Sequence, residues 1–159
     1  MRPRQEWDLK PKAMLDTNVF NDILDGRMQL VDLQTFDLWA THIQADEIGR
    51  TKDSLRREEL SRIFKELRPD TKATGSFVLG VSRLGEACLG DGETYHKILM
   101  GLRAMQKDPE GKNESNIMDA LIAETSIQQH MTLITADSHL ARVVISLGGT
   151  VSRLRRQNG

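Results

Sequence analysis

A single cysteine, Cys88, stands in 159 residues, so no disulfide can form within the chain, and a reducing cytoplasm is the expected compartment. No apolar run approaches the roughly 20 residues that a membrane helix needs. The basic start, MRPRQEWDLKPK, has no apolar segment behind it to act as a secretion signal, so no membrane partner is expected. Charge of one sign is also lacking: 22 Lys and Arg against 23 Asp and Glu leave a net charge of -1. Any nucleic acid would therefore be held by local basic patches and not by a global field. No GxxxxGKS loop is present, which excludes nucleotide hydrolysis of the P-loop kind. His42, His130 and His139 do not fall at HExxH or HxxxH spacing, and without a cysteine pair zinc is disfavoured. No shift of composition divides the chain, so residues 1–159 read as one domain, with 1–11 an N-terminal extension and 155–159 a tail.

What is present centres on residues 116–140, NIMDALIAETSIQQHMTLITADSHL. Ile117, Ala120, Leu121 and Ile127 recur with a helical rhythm, and Asp119 sits off that stripe, at what reads as a helix beginning. Glu124 lies five residues on, about 140° around the helix, and is expected not to share a site with Asp119. Gln128-Gln129-His130 reads as the helix exit. MTLIT then has the β-branched apolar content of a buried parallel strand, and Asp137 follows its end. An acid at that position borders the ligand crevice of an open α/β sheet; it also suits the N-cap of a helix starting at Ser138, and both readings stand.

The preceding chain repeats the pattern. Ala13, Met14 and Leu15 form a short apolar strand with Asp16 at its carboxyl end, where it reads as a site acid or as a helix cap, and Asn18 is a natural N-cap for a helix that Gly26 closes. TFDLWA, between Gln34 and Thr41, reads as a second strand, with Trp39 a core residue, and THIQADEI turns into a helix near Thr41 with Glu47 in its first turns. That helix breaks near Thr51 to Ser54 and resumes with Leu60, Ile63, Phe64 and Leu67 as its buried stripe, until Pro69 stops it. Its outer face mixes Arg56, Arg57, Arg62 and Lys65 with acids and reads as solvated. Residues 74–82, TGSFVLGVS, read as a third strand, 85–92 as a glycine-containing loop, and Glu93 to Met105 as a helix with Ile98, Leu99 and Leu102 inward. KDPEGKNES is a polar connection. After Asp137 a helix runs to Gly148-Gly149, and TVSRL reads as a last strand. Four or five strands alternating with helices predict a three-layer α/β/α sandwich around a parallel sheet.

Four acids thus share a setting: Asp16 and Asp137 follow strands, and Glu47 and Asp119 lie on helices beside them. Four carboxylates about 4 to 6 Å apart repel by about 1 kcal/mol per pair in water and by about 4 at an effective dielectric near 20. Convergence therefore calls for a cation or shared protons, and all-oxygen ligands select a hard cation, Mg²⁺ or Mn²⁺.

The order LDTNVF, THIQADEI, NIMDALIAETSI, LITAD resembles that of the PIN-domain ribonucleases over most of the chain. The resemblance implies metal-dependent endonucleolytic hydrolysis of RNA by a metal-activated water. It assigns Asp16, Glu47, Asp119 and Asp137 as catalytic metal ligands, with Thr17, Asn18 and Thr135 as hydrogen-bonding support. RNA is the implied substrate, and an antitoxin or other regulatory protein and a second copy of the chain are the implied protein partners. Candidate RNA backbone contacts are Arg50, Lys52, Arg56 and Lys112. The interval between Glu47 and Asp119 is longer than in the compact toxin-type members and holds an extra helix-and-strand segment. Trp7 and Trp39 have faces on which a base can stack.

Rivals fare less well. A haloacid-dehalogenase-like phosphatase wants a second acid two residues after the first, where this chain has Asn18, which weakens an acid-based phosphohydrolase. A receiver domain wants paired early acids and a late strand-end Lys, absent where needed. A non-catalytic PIN-like binding or regulatory module remains the alternative from another class.

Overall fold

A computed structural model describes residues 10–67, 69–71, 92–106 and 113–153. Its centre is β1 (Lys12–Leu15), whose first residue is exposed and whose next three are wholly buried. A strand covered on both faces has no polar alternation to show, which is why KAML reads as a bare apolar run. The alternation appears instead in what each side chain touches. Ala13 and Leu15 pack with Phe20, Leu33, Leu60 and Ile134, whereas Met14 packs with Ile98, Leu121, Leu133 and Leu140.

These two apolar clusters are the two faces of one sheet. Among the described residues it has five strands, β1, β2 (Asp37–Ala40), β3 (Asp70–Thr71), β4 (Thr132–Ile134) and β5 (Thr150–Ser152), in the order β3-β2-β1-β4-β5, all paired in parallel. One face carries α1 (Thr17–Leu24) and α3 (Ser54–Leu67), where the rings of Phe20 and Phe64 meet at 5.4 Å. The other carries α4 (Glu93–Ala104), α5 (Asn113–Gln128) and α6 (Ser138–Ser146). Between β2 and α3, α2 (His42–Gly49) gives Ile43 to one cluster and Ile48 to the other, and so bridges the layers. This is the expected three-layer α/β/α sandwich. Among the described residues no helix is long and apolar enough to cross a membrane.

The strand order decides where a ligand can sit. The chain moves outward from β1 through β2 to β3, then crosses back to β4 on the other side of β1. Beyond the carboxyl ends of β1 and β4 the flanking connections diverge and leave a crevice.

Local departures have local causes. α1 begins at Thr17, so the residue in N-cap position is Asp16 and not Asn18; the Asp16 side chain makes no capping hydrogen bond because its carboxyl is held elsewhere. α5 begins at Asn113, ahead of its first apolar residue, so Asp119 lies in the second turn and not at the start. Glu47 is the sixth of the eight residues of α2, closer to its end than to its first turn. α2 begins where expected, with Thr41 as its N-cap, but is only eight residues long; α5 opens on the polar run Asn113 to Asn116, so an apolar rhythm cannot mark where it begins. β3 is two residues long, too short to carry a pattern. The strand expected over residues 74–82, the loop over 85–91, and Trp7, Cys88 and Lys112 lie outside the described residues.

The remaining boundaries agree closely with expectation. Gly26 and Gly148 take positive φ after α1 and α6, and His130 does so after α5. Gly149 is required by space: a Cβ there would lie 2.5 Å from the Val144 side chain.

Candidate active site

Asp16 is delivered to the crevice by the ladder itself, since its amide donates to Ile134 O at 3.0 Å, one step beyond the strand. Its side chain is 1% exposed. Oδ2 accepts from the Thr135 hydroxyl at 2.7 Å, whereas Oδ1 is buried and makes no hydrogen bond. A buried carboxylate oxygen without a donor strongly disfavours the charged form. Burial accordingly pushes the Asp16 carboxyl up to about 6; the Thr135 hydrogen bond pulls it back and the charge of Asp137 adds to the rise. The Asn18 and Thr17 amides lower it through their field, without closing a hydrogen bond to the side chain.

Glu47 reaches the same place from α2. It is half-buried and accepts a hydrogen bond from the Thr17 hydroxyl. Burial pushes its carboxyl up to about 7; the Thr17 hydroxyl opposes this, the charge of Asp16 adds to it, Arg50 lowers it and Glu114 raises it. Asp119 and Ser115 are four residues apart on α5 and therefore share a face, and both look onto the pocket that Asp16 and Glu47 line. That pocket has a volume of about 180 Å³, and Thr17, Asn18 and Asn21 of α1 complete its polar wall, with Ile48, Thr51 and Leu60 beside them. It suits a hydrated ion and a phosphoryl group, not a whole nucleotide.

Asp137 behaves differently from the other three acids. Its Oδ1 accepts from the amides of His139 at 2.8 Å and Leu140 at 3.1 Å, so it is the N-cap of α6. It does not line the pocket, although its amide donates to the Thr135 hydroxyl at 3.0 Å and its charge is felt by Asp16. Of the four acids expected together, Asp16, Glu47 and Asp119 line this pocket, whereas Asp137 gives its Oδ1 to the amides of α6. Among the described residues no three acidic, histidine or cysteine side chains are gathered tightly enough to close on one ion.

The donor set nevertheless fits a hard divalent cation. It is all oxygen, and Asp16 Oδ1 is buried without a hydrogen-bond partner.

Of the proposed backbone contacts, Arg50 reaches Glu114 at 3.2 Å with both side chains exposed, and Lys52 is exposed. Arg56 is engaged with Asp25 at 2.9 and 3.1 Å and with Asn21 at 2.9 Å, tying α3 to the end of α1. Trp39 packs partly buried against the core, with the Lys12 ammonium 5.1 Å from its ring centre. Glu124 is wholly buried and does not line the pocket. A larger cavity, of about 430 Å³, lies at the amino ends of β1 and β2. Leucines and Phe36 line it, with Lys10, Asp37 and Glu66 at its edge, and none of the four acids is there.

Sequence reasoning passed over Ser115, Asn21 and Gln44. Ser115 and Asn21 carry no signal beyond helical spacing from Asp119 and Asn18. Gln44 was legible, because T-H-I-Q from Thr41 to Gln44 is a capping-box pattern. Both of its bonds are present, the Thr41 hydroxyl accepting from the Gln44 amide and Gln44 Oε1 accepting from the Thr41 amide at 2.9 Å, and the Ile43 amide also donates to the Thr41 hydroxyl at 3.1 Å.

No family model matches the chain, and no curated protein does. Among solved structures it is similar to the one described as FitAcB from Neisseria gonorrhoeae, at 17% identity over 89% of this chain and 96% of that chain, with a TM-score of 0.46. A likeness that loose carries no inference about function.

Proposed function

We propose that the chain is a divalent-metal-dependent endoribonuclease of the PIN-domain type, with Asp16, Glu47 and Asp119 as metal ligands and Mg²⁺ or Mn²⁺ as the ion. The observation that carries this reading is Asp16 Oδ1, a buried carboxylate oxygen with no hydrogen-bond donor, on a residue that lines a pocket shared with two further acids at the switch point of the sheet. The ordered motifs from LDTNVF to LITAD support it independently of the geometry.

In that role the chain's own residues orient and hold. The Thr135 hydroxyl fixes one oxygen of Asp16 and the Thr17 hydroxyl fixes one of Glu47, which leaves the other oxygen of each for a ligand. Asn18 and Ser115 supply uncharged polar groups to orient a phosphate oxygen or a water. A bound ion would supply a water of lowered pKa and offset charge developing on the phosphate. Asp137 would act from behind, as a nearby negative charge and a cap. Single-stranded or looped RNA is the substrate class this open crevice would accept, with Arg50 and Lys52 as backbone contacts. An antitoxin or other regulatory protein, and a second copy of the chain, are the protein partners proposed, and the cytoplasm the compartment.

A second reading, a PIN-like module that binds without cleaving, draws on the absence of a closed three-ligand cluster among the described residues. Incubation of the purified protein with structured and unstructured RNAs in Mg²⁺, Mn²⁺ or EDTA separates the two. Cleavage that needs the ion and stops in EDTA is expected; RNA binding without cleavage in either ion would establish the module instead.

A further inference from the structure

Gln44 is wholly buried on α2, and its amide is used at both ends. Oε1 accepts from the Thr41 amide at 2.9 Å and from the Thr41 hydroxyl at 2.7 Å. Nε2 donates to Leu15 O at 2.7 Å and points a second hydrogen at Met14 Sδ, 3.5 Å away. The first pair of bonds is an ordinary helix cap, for which glutamate would serve as well or better near the positive end of the helix. The second pair requires a donor, which an ionised glutamate lacks. The choice of glutamine is therefore explained by the bond to β1 and not by the cap.

That bond lands on the residue before Asp16. Glu47 lies three residues after Gln44 on the same side of α2, and it is held by the hydroxyl of Thr17, the residue after Asp16. One face of α2 is thus fastened to the main chain on one side of Asp16 and to a side chain on the other. We propose that Gln44 is a positioning residue that sets the spacing of the Asp16 and Glu47 carboxylates. The proposal rests on the metal-site reading above for its functional meaning, while the geometric claim stands by itself. Apolar packing alone leaves α2 free to shift along the end of the sheet; the amide bond to Leu15 O fixes where it stops.

Two measurements on the full chain test it. Gln44→Met keeps length and removes both the donor and the acceptor, and Gln44→Asn keeps an amide that is one methylene too short; the second serves if the first does not fold. In a crystal structure of the variant, loss of the Thr17 to Glu47 hydrogen bond and displacement of the Glu47 carboxylate are expected, and a Glu47 superposing on its original position would overturn the proposal. By calorimetric titration with Mn²⁺, the folded variant is expected to bind about tenfold more weakly or worse, the scale of lost outer-shell support. Leu33→Ala, in the other apolar cluster and beside the cavity at the amino ends of the strands, should leave Mn²⁺ affinity within about twofold at a similar loss of Tm; equal weakening by both would make Gln44 merely structural and sink the claim. If the unaltered protein binds no Mn²⁺, the metal-site reading fails, and the crystallographic result still decides the role of Gln44.

Discussion

At the scale of single residues, the acids at the pocket differ in what each can lose. Asp119 is half-buried, and its neighbours Ala120, Leu121 and Ile122 carry the packing of α5, so Asp119→Asn is expected to keep the fold and change stability by less than about 1 kcal/mol. The same variant should abolish metal-dependent RNA cleavage, checked by a gel assay beside a thermal melt. Cleavage at the original rate would remove Asp119 from the site. Glu124, which its angular offset recommends as a control, is unsuitable for that purpose because its buried carboxyl would make any loss ambiguous; the exposed Glu58 serves better.

Asp16 and Glu47 predict a pH dependence. Their folded-state values, about 6 and about 7, lie above the ordinary 3.8 and 4.5, so the folded chain binds these protons more tightly than the unfolded chain. Their contribution is full below about pH 4 and is lost as pH rises through 6 to 7, on the order of 2–3 kcal/mol for each group. Without metal, the melting temperature should therefore fall relative to Asp16→Asn between pH 5 and pH 8. Asparagine can still accept from Thr135 and carries no buried charge, so Asp16→Asn should be the more stable of the two at pH 8. Parallel melting curves across that range would contradict the burial argument.

At the scale of elements, α6 and α2 show how caps and ligands compete for the same side chains. Asp137 closes α6 with two amide bonds, and an asparagine oxygen can accept both. Asp137→Asn should stay within about 0.5 kcal/mol of the parent, while Asp137→Ala should lose about 1–2 kcal/mol in urea unfolding. Because this carboxylate does not line the pocket, Asp137→Asn is also expected to keep more cleavage activity than Asp119→Asn.

The same competition explains what could be read from the sequence. β1, β4, α3 and α6 were legible because burial wrote apolar runs or stripes into them. The switch from LIT to an acid pointed correctly to the end of the sheet, but no pattern could tell whether Asp137 would turn to an ion or to the amides of His139 and Leu140. The two residues of β3 are too few to carry a pattern, and α5 opens on exposed polar residues, Glu114 and Ser115, that leave no mark. Ser115 owes its place to the early start of α5, and it went unseen for that reason.

At the scale of the molecule, the buried charges of Asp16 and Glu47 oppose folding at neutral pH, and a bound cation should help. If only the folded chain holds the ion, Mn²⁺ at one hundred times its Kd adds about 2.7 kcal/mol of stability, a rise in Tm on the order of 5–10 °C for a chain of this size. Identical melts in millimolar Mn²⁺ and in EDTA would count directly against the site.

The hydroxyl of Thr135 meets the carboxylate of Asp16 across 119 residues of chain, and β4 occupies the slot beside β1 that β2 leaves open. During synthesis the amino-terminal part emerges first. A nascent chain can pair β1 with β2 and bring α2 to the end of the sheet while Asp119 and Thr135 have yet to be made. The pocket is thus among the last features to assemble, and a polypeptide released before β4 would carry Asp16 and Glu47 without the wall that completes their site. The topology itself delays competence until α5 and β4 have been made.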